Sequence, residues 1–228
     1  MSVTVQTRCP LVIFGAQRFA ELLRYRAEEC GRQVLAFVVD QEYLSVTRLT
    51  DLEVLAFEDF RLRYPPGTAE VLSAVGYRSL RARQAVGLRI AEAGYRVATL
   101  VCPGATVAEN AVIGDGSIVF PGTIVEPFVT VGSDNIVWPG SVICHHSTLG
   151  RGNYLAPGVI VAGNCTVGDL CFMGVRATLI DGVELGSECQ LLPGSVLTEN
   201  AAPFGVYGGV PARRVAHIDP HAGVCIAR

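Results

Sequence analysis

The chain has 228 residues, half of them hydrophobic, and a formal net charge of −3, so it is long enough for one domain or two with a substantial core. The slightly acidic balance argues against nucleic-acid binding, for which a basic patch is expected. No apolar run reaches the roughly 18 residues of a membrane span, and no signal-peptide pattern opens the chain. Eight cysteines without a CxxC pair favour reduced packing thiols and a cytoplasmic location.

Residues 1–102 are predicted to form a Rossmann-like α/β domain. The first elements are a strand at Leu11–Phe14, a helix from Arg18 to about Cys30, and a second strand at Val34–Val39. The pattern continues with strands at Leu52–Leu55 and Ala69–Val75, an amphipathic run from Phe57 to Tyr64, and a helix over residues 79–93. Strands that alternate with helices predict a parallel sheet, with any ligand at the carboxyl ends of its strands.

Candidate substrate-binding residues follow three of these strands. They are Gly15, Ala16, Gln17 and Arg18 in the first turn, Asp40 after the second strand, and Gly76 and Tyr77 after Ala69–Val75. The first turn keeps one glycine of the dinucleotide fingerprint, and a helix N-terminus after a strand can hold phosphate. A plain turn between strand and helix, and a capping role for Asp40, remain the alternatives.

A strict repeat begins at Val101. Every sixth residue from there to Leu197 is aliphatic, and four residues after each stands a small or β-branched side chain, or an asparagine. Glycines recur every eighteen residues from Gly114 to Gly186, as do Pro-Gly pairs, and Arg176 replaces one Pro-Gly glycine. The glycines are expected where turns need a positive φ.

Periods of six and eighteen fit neither an α-helix nor an alternating strand. They predict a chain that turns a corner every six residues, with three faces per coil, so that parallel strands stack into a triangular β-helix. This domain is assigned to residues 103–200, and residues 201–228 form a C-terminal extension.

The candidate chemistry of the repeat centres on adjacent histidines, His145 and His146. Both lie outside the aliphatic column and near a corner, and imidazole suits a general base. A pair of surface histidines is the alternative. A metal site is not expected, because these are the only histidines of the repeat and adjacent imidazoles rarely share one metal.

The unbroken hexapeptides, the histidine pair, Ala162-Gly163-Asn164 one coil later and the closing segment at residues 207–214 together resemble the hexapeptide-repeat acyltransferases. The fuller resemblance, to about residue 216, is to the bacterial PglD/NeuD-type sugar acetyltransferases. It implies a left-handed β-helix after a Rossmann-like nucleotide-sugar domain, acetyl-CoA as co-substrate, and a homotrimer with active sites between subunits.

The resemblance also implies roles for individual residues. His145 matches the general base, His146 is a neighbour of variable type, and Gly163 matches the glycine whose N–H meets the acetyl carbonyl oxygen. Tyr154 stands where some members have a second active-site histidine. The residues matched to coenzyme A binding are Gly163, Phe172 and Gly174. Arg176, Arg213 and Arg214 are candidates for its phosphates because of their charge, and solvated surface arginines are the alternative.

The expected function is N-acetylation of a nucleotide-linked amino sugar, such as a 4-amino-4,6-dideoxy sugar, in bacterial surface glycan biosynthesis. One alternative is O-acetylation of a sugar hydroxyl, as in sialic acid. The other is a non-catalytic β-helix that binds or scaffolds.

Overall fold

A computed structural model of the chain describes residues 9–76 and 78–226. They form two compact units, one containing the chain up to residue 75 together with residues 87–98, and the other containing residues 76–86 and the chain from residue 99. In the described part of the chain, no helix is long and apolar enough to cross a membrane.

The first unit is an α/β structure around a five-stranded sheet of order β3-β4-β2-β1-β5. Its strands are β1 Leu11–Phe14, β2 Val34–Val39, β3 Arg48–Leu49, β4 Leu52–Ala56 and β5 Glu70–Ser73. The helices are α1 Arg18–Glu29, α2 Phe57–Arg63 and α3 Leu80–Glu92, with a 3₁₀ turn at Gln41–Tyr43. The predicted parallel sheet is confirmed, and the short antiparallel β3 and the 3₁₀ turn are additions to it.

The buried residues of β1 and α1 show how the core of this unit is built. All four residues of β1 are buried, as expected for a central strand covered on both faces. Helix α1 buries Ala20, Leu23 and Ala27, which share one helical face, and Gly31 follows the helix with a φ of 70°. The chain therefore enters β2 directly beside β1.

The second unit is a parallel β-helix with three faces. Face 1 contains β7 Thr106–Val107, β10 Ile124–Val125, β13 Val142–Ile143, β16 Ile160–Val161, β19 Thr178–Leu179 and β22 Val196–Leu197. Face 2 contains β8 Val112–Ile113, β11 Thr130–Val131, β14 Thr148–Leu149, β17 Thr166–Val167 and β20 Glu184–Leu185. Face 3 contains β6 Leu100–Val101, β9 Ile118–Val119, β12 Ile136–Val137, β15 Tyr154–Leu155, β18 Phe172–Met173, β21 Gln190–Leu191, β23 Gly205–Gly209 and β24 Ala212–His217.

From β6 to β22, paired residues are eighteen positions apart, as Val142 and Ile160 are, whereas β21 pairs with β23 at an offset of sixteen. The aliphatic column fills the interior, where Ile143 and Leu155 are completely buried. Val101 is 41% exposed because it lies in the first coil, which no earlier coil covers. At the other end Tyr207 and Ala212, from the antiparallel pair β23–β24, close the core.

The small column is also a hydrogen-bond ladder. The Asn135 Oδ1 accepts the Asn153 N–H at 2.9 Å, and the Asn153 Oδ1 accepts the Cys171 N–H at 2.7 Å. Cys165 and Cys171 lie in the same column with free thiols, and burial raises the pKa of both. Cys165 and Cys171 are therefore packing residues, as predicted.

Glycines serve this fold in two different ways. The second residue of each Pro-Gly pair has a positive φ, such as 76° at Gly140, and Arg176 adopts 57° in the same place. The glycines that repeat from Gly114 lack a positive φ, so the predicted reason is wrong for them. A Cβ on Gly114 would lie 2.5 Å from the carbonyl carbon of Gly132, which shows that close packing of coils requires these glycines.

Face 3 is covered within the chain, whereas faces 1 and 2 are not. Arg83, in the segment 76–86, is 4% exposed and donates from Nη2 to the carbonyl oxygens of Gly152 and Asn153. Burial lowers the pKa of its guanidinium to about 10. In contrast, Ile124 on face 1 is 42% exposed and Val112 on face 2 is 57% exposed.

Candidate active site

The two histidines lie in the turn that joins face 1 to face 2, directly after β13. The His145 backbone N–H donates to Oε2 of Glu126 at 2.8 Å, and the His146 N–H donates to the carbonyl oxygen of Pro127 at 3.3 Å. His146 adopts a φ of 59°, the left-handed conformation at which this turn changes direction. Both imidazoles are exposed, so the turn presents them to solvent in this chain.

The place of His145 in this turn is occupied in other coils by Glu109, Pro127, Gly163 and Asp181. The N–H at this place takes no part in the described backbone hydrogen bonds between coils, which is why proline is tolerated there. Among the described residues, the Gly163 N–H has no acceptor. The coil above His145 therefore contains a backbone donor, the Gly163 N–H, that has no partner among the described residues.

Gly163 also makes room for the His145 side chain. A Cβ at Gly163 would lie 2.7 Å from Cε1 and 3.0 Å from Nε2 of His145, and 2.7 Å from Oδ1 of Asp181. Only glycine allows the imidazole to rest against the backbone here. Gly163 is consequently buried beneath this ring, and the Asp181 carboxylate, which accepts from the Asn164 amide at 3.3 Å, borders the same spot.

The two imidazoles contact each other and an aromatic neighbour. His145 Nδ1 and His146 Nδ1 are 3.2 Å apart, so one of these nitrogens donates to the other. The His146 ring stacks on Phe128, one coil below, with centroids 4.7 Å apart and planes at 27°. Phe128 is 59% exposed and has a φ of 66°, an uncommon conformation for a bulky residue.

Cys144 precedes the pair but does not have the properties of a nucleophile. Burial and the nearby Glu126 carboxylate raise the pKa of its thiol, so the neutral form is favoured. The side chains that this turn offers for proton transfer are therefore its imidazoles.

The residues matched to coenzyme A lie elsewhere on the β-helix. Phe172 is on face 3, Gly174 and Arg176 are in the turn that joins face 3 to face 1, and Arg213 and Arg214 are on β24 at the edge of face 3. Within one chain, then, only Gly163 of this set contacts the His145 turn.

Tyr154 and two of the arginines already have partners in the chain. Tyr154 is 6% exposed on face 3 and stacks on Phe172 at 5.3 Å, away from the turn that carries His145. Arg213 pairs with Glu199 at 3.4 Å, and Arg214 donates to the Phe204 carbonyl oxygen at 3.3 Å. Arg176 is exposed, and no ion pair to it occurs in the described residues.

In the first unit, the carboxyl ends of β1 and β2 lie side by side, since the two strands are parallel neighbours. Gly15 has a φ of 131°, Gln17 caps α1 without a side-chain hydrogen bond, and Arg18 is exposed. The Ala20 N–H already donates to the Gln17 carbonyl oxygen at 2.8 Å, so the exposed Arg18 side chain is the donor that this turn offers to an anion.

Asp40 is held by a cation that the sequence analysis did not identify. The Arg89 Nη2 lies 2.6 Å from the Asp40 Oδ1, and its guanidinium covers the rings of Phe14 and Phe57 at 5.2 and 5.1 Å. A ligand at this edge therefore meets an Asp–Arg pair rather than a lone carboxylate. Gly76 groups with the second unit, and Tyr77 lies outside the described residues.

Comparison with known proteins shows which proteins share this fold. The profile of the family "Bacterial transferase hexapeptide (six repeats)" matches residues 110–145, which end at the first histidine. No curated protein sequence matches the chain significantly. Among solved structures, a histidine-to-alanine mutant of GDP-perosamine N-acetyl transferase from Caulobacter crescentus, in complex with CoA and GDP-perosamine, superimposes with a TM-score of 0.83 and 25% identity over 91% of this chain and 97% of that one.

Two further structures share the whole architecture at lower identity. The acetyltransferase domain of PglB from Neisseria gonorrhoeae, in complex with acetyl coenzyme A, gives a TM-score of 0.82 at 21% identity over 90% of this chain and 98% of that one. WeeI from Acinetobacter baumannii gives 0.76 at 22% identity over 91% and 100%. In chain order, the fold is a Rossmann-like α/β unit followed by a left-handed hexapeptide-repeat β-helix. The fold predicted from the sequence is therefore confirmed.

Three residues of the β-helix turn were missed by the sequence analysis: Glu126, Phe128 and Asp181. All three follow from the same offset of eighteen, because Glu126 precedes Cys144, Phe128 precedes His146 and Asp181 follows Gly163 by one coil. The signal was therefore present in the repeat. Arg89 had no such signal, because helix periodicity does not indicate which carboxylate an arginine reaches.

Proposed function

We propose that this protein transfers the acetyl group of acetyl-CoA to the amino group of a nucleotide-linked amino sugar. The observation that carries the proposal is the contact between the His145 imidazole and Gly163, whose backbone N–H has no acceptor in the described chain. Acyl transfer needs a base that accepts the proton of the nucleophile and a donor that stabilises the oxyanion. The GDP-perosamine N-acetyl transferase that shares 25% identity over nearly the whole chain supports the same chemistry.

The residues present fit an acetyl thioester. When bound, acetyl-CoA supplies an activated carbonyl carbon for the amine to attack. His145 accepts the proton of the attacking nitrogen at Nε2, the imidazole nitrogen nearest Gly163. The Gly163 N–H donates to the carbonyl oxygen as it gains negative charge, and glycine is the residue that lets an acyl group approach the backbone closely. No nucleophilic side chain is required, because the amine attacks the thioester directly and displaces coenzyme A as its thiolate, to which the protonated His145 can return the proton.

The proposed assembly is a homotrimer. Faces 1 and 2 carry exposed apolar side chains such as Ile124 and Val112, and the His145 turn is the edge between them. Face 1 is bordered on its other side by the turn with Gly174 and Arg176. Copies that pack along this face can therefore place the Arg176 turn of one chain beside the His145 turn of another, which supplies the coenzyme A contacts that one chain keeps apart.

The α/β unit is proposed to bind the nucleotide. The N-terminal end of α1 and the exposed Arg18 there suit a phosphate, and the Asp40–Arg89 pair offers an acceptor and a donor to a base or ribose. Free buried thiols, such as that of Cys165, support a cytoplasmic location, where thiols stay reduced.

O-acetylation remains the second candidate because it uses the same base. A hydroxyl is a much weaker nucleophile than a neutral amine, so that reaction depends on His145 even more strongly. A scaffold without catalysis is the third candidate, and it predicts no binding of coenzyme A.

One assay separates these candidates. The protein is incubated with acetyl-CoA and, in parallel, with UDP-, dTDP- and GDP-linked 4-amino sugars and with free sialic acid, and the products are identified by mass. We expect acetylation of at least one nucleotide-linked amino sugar. Acetylation of sialic acid alone selects O-transfer, and no product together with no thermal shift on adding millimolar CoA selects the scaffold.

A further inference from the structure

Asp181 is a carboxylate at the candidate site to which the proposed mechanism gives no role. It occupies the place of His145 two coils later and is exposed. Among the described residues, its one hydrogen-bond donor is the neutral Asn164 amide, 3.3 Å from Oδ1, and no cationic side chain forms an ion pair with it. This carboxylate therefore remains able to bind a cation that comes from outside the described chain.

The Asp181 carboxylate and the His145 imidazole converge on one point beside Gly163. A Cβ on Gly163 would lie 2.7 Å from Oδ1 of Asp181 and 3.0 Å from Nε2 of His145. The other carboxylate near this turn is engaged differently, because Oε2 of Glu126 accepts the His145 backbone N–H at 2.8 Å. Asp181 is thus the carboxylate that borders the nitrogen to which the proposed function assigns the proton transfer.

A carboxylate at this point distinguishes an amine from a hydroxyl. An alkyl amine keeps its additional proton at neutral pH and arrives as a cation, whereas a hydroxyl arrives without charge. A cation beside a carboxylate forms a charge-assisted hydrogen bond, which is stronger than a bond between neutral groups. The bound ammonium releases one proton to solvent before it attacks the thioester, and it releases a second to His145 as the amide forms.

We propose that Asp181 determines the acceptor specificity of the site, because its carboxylate binds the cationic amino group of the sugar and thereby selects an amine over a hydroxyl. This inference rests on the proposed function, since it requires the transfer to take place at the His145 turn. It assigns to one residue the choice between N-acetylation and O-acetylation, which share the same base.

The test compares amino and hydroxy forms of the same ligand. The probes are UDP-, dTDP- and GDP-linked 4-amino sugars, each paired with the sugar nucleotide that has a hydroxyl at the same carbon. Their dissociation constants are measured by calorimetry in the presence of coenzyme A, which lacks the acetyl group, so that no transfer interferes. Asp181→Asn removes the charge and keeps the size of the side chain. Glu109→Gln is the matched control, because Glu109 is an exposed carboxylate in the same place, two coils before His145.

The wild type should bind the preferred amino form at least about tenfold more tightly than its hydroxy counterpart at neutral pH. Asp181→Asn should weaken binding of the amino form about tenfold and leave that of the hydroxy form within about twofold, whereas Glu109→Gln should change neither. Raising the pH until the amine is neutral should reduce the preference of the wild type and leave that of Asp181→Asn unchanged.

The two hypotheses fail in different ways. If the wild type acetylates no amino sugar, the proposed function fails and this inference fails with it. If the wild type acetylates an amino sugar but Asp181→Asn keeps the full preference for the amino form, or weakens both forms equally, the proposed function stands and the specificity role of Asp181 is overturned.

Discussion

The two units of this chain relate sequence to structure in different ways. In the β-helix, residues eighteen positions apart lie in the same place of successive coils. Counting along the sequence is therefore enough to place Gly163 one coil above His145. In the α/β unit, partners such as Asp40 and Arg89 are 49 residues apart and share no period. A repeat therefore makes a site predictable from the sequence, whereas a site built from separate elements becomes visible only when they are folded together.

The largest expected effect comes from the base itself. His145→Ala should lower kcat by at least about a hundredfold, because a positioned general base typically contributes about 10²–10⁴-fold. Steady-state rates with acetyl-CoA and the preferred sugar nucleotide measure this loss. His221→Ala, an exposed histidine near the end of the described chain, is the control and should stay within about twofold of wild type. Near-normal turnover of His145→Ala would refute the assignment and direct attention to His146.

Gly163→Ala tests the contact that carries the proposed function. The new Cβ would lie 2.7 Å from Cε1 of His145, so the imidazole must move, and kcat should fall about tenfold to a hundredfold. Stability should change little, because the side chain can swing away. Gly114→Ala is the matched control, since its Cβ meets the Gly132 backbone and should lower the thermal midpoint instead. If both variants behave alike, Gly163 is merely a packing glycine.

Arg89→Met tests the other unit. Removing the guanidinium frees Asp40 from a charged hydrogen bond of 2.6 Å, and the KM for the nucleotide sugar should rise about tenfold while the KM for acetyl-CoA stays unchanged. Arg63→Met, which removes the exposed ion pair with Glu53, is the control and should leave both constants unchanged. A rise in the KM for acetyl-CoA alone would contradict the proposed division of roles.

The smallest effect concerns the ladder of the β-helix. Asn135→Ala leaves the buried Asn153 N–H without an acceptor and should lower the free energy of unfolding by at least about 1 kcal/mol, with kcat unchanged. Asn135→Ser should lose less, because Ser117 and Ser147 already accept the N–H of the next coil in the same column. Chemical denaturation of both variants provides the comparison, and equal losses would show that the column acts by size alone.

The fold was predictable in outline because the spacing of hydrophobic residues, glycines and prolines in the sequence indicates its strands and turns. The repeat from Val101 to Leu197 could be identified without tertiary information. The strands at Leu11–Phe14 and Val34–Val39 were predicted with the bounds that the structure shows. The reason for Gly114 was not predictable, since close approach of two backbones leaves no local trace. Nor was the contact of His145 with His146, because it depends on the left-handed φ of 59° at His146.

The candidate site was predictable only in part, for a physical reason. Residues placed by the repeat, His145 and Gly163, are brought together, whereas Tyr154 and Phe172 occupy another face. Matching single residues to a family does not say which of them a single chain brings together. In this chain, Tyr154 and Phe172 lie on a different face of the β-helix from His145 and Gly163. The proposed homotrimer would bring such residues close together across subunits.

The most direct test of the account compares one amino sugar in two forms, linked to its nucleotide and as the sugar 1-phosphate. If the α/β unit binds the nucleotide and the His145 turn performs the transfer, both forms yield the same N-acetylated sugar. The value of kcat/KM should then be lower by about a hundredfold or more without the nucleotide, because remote binding energy is lost. Equal values of kcat/KM for the two forms would contradict the account.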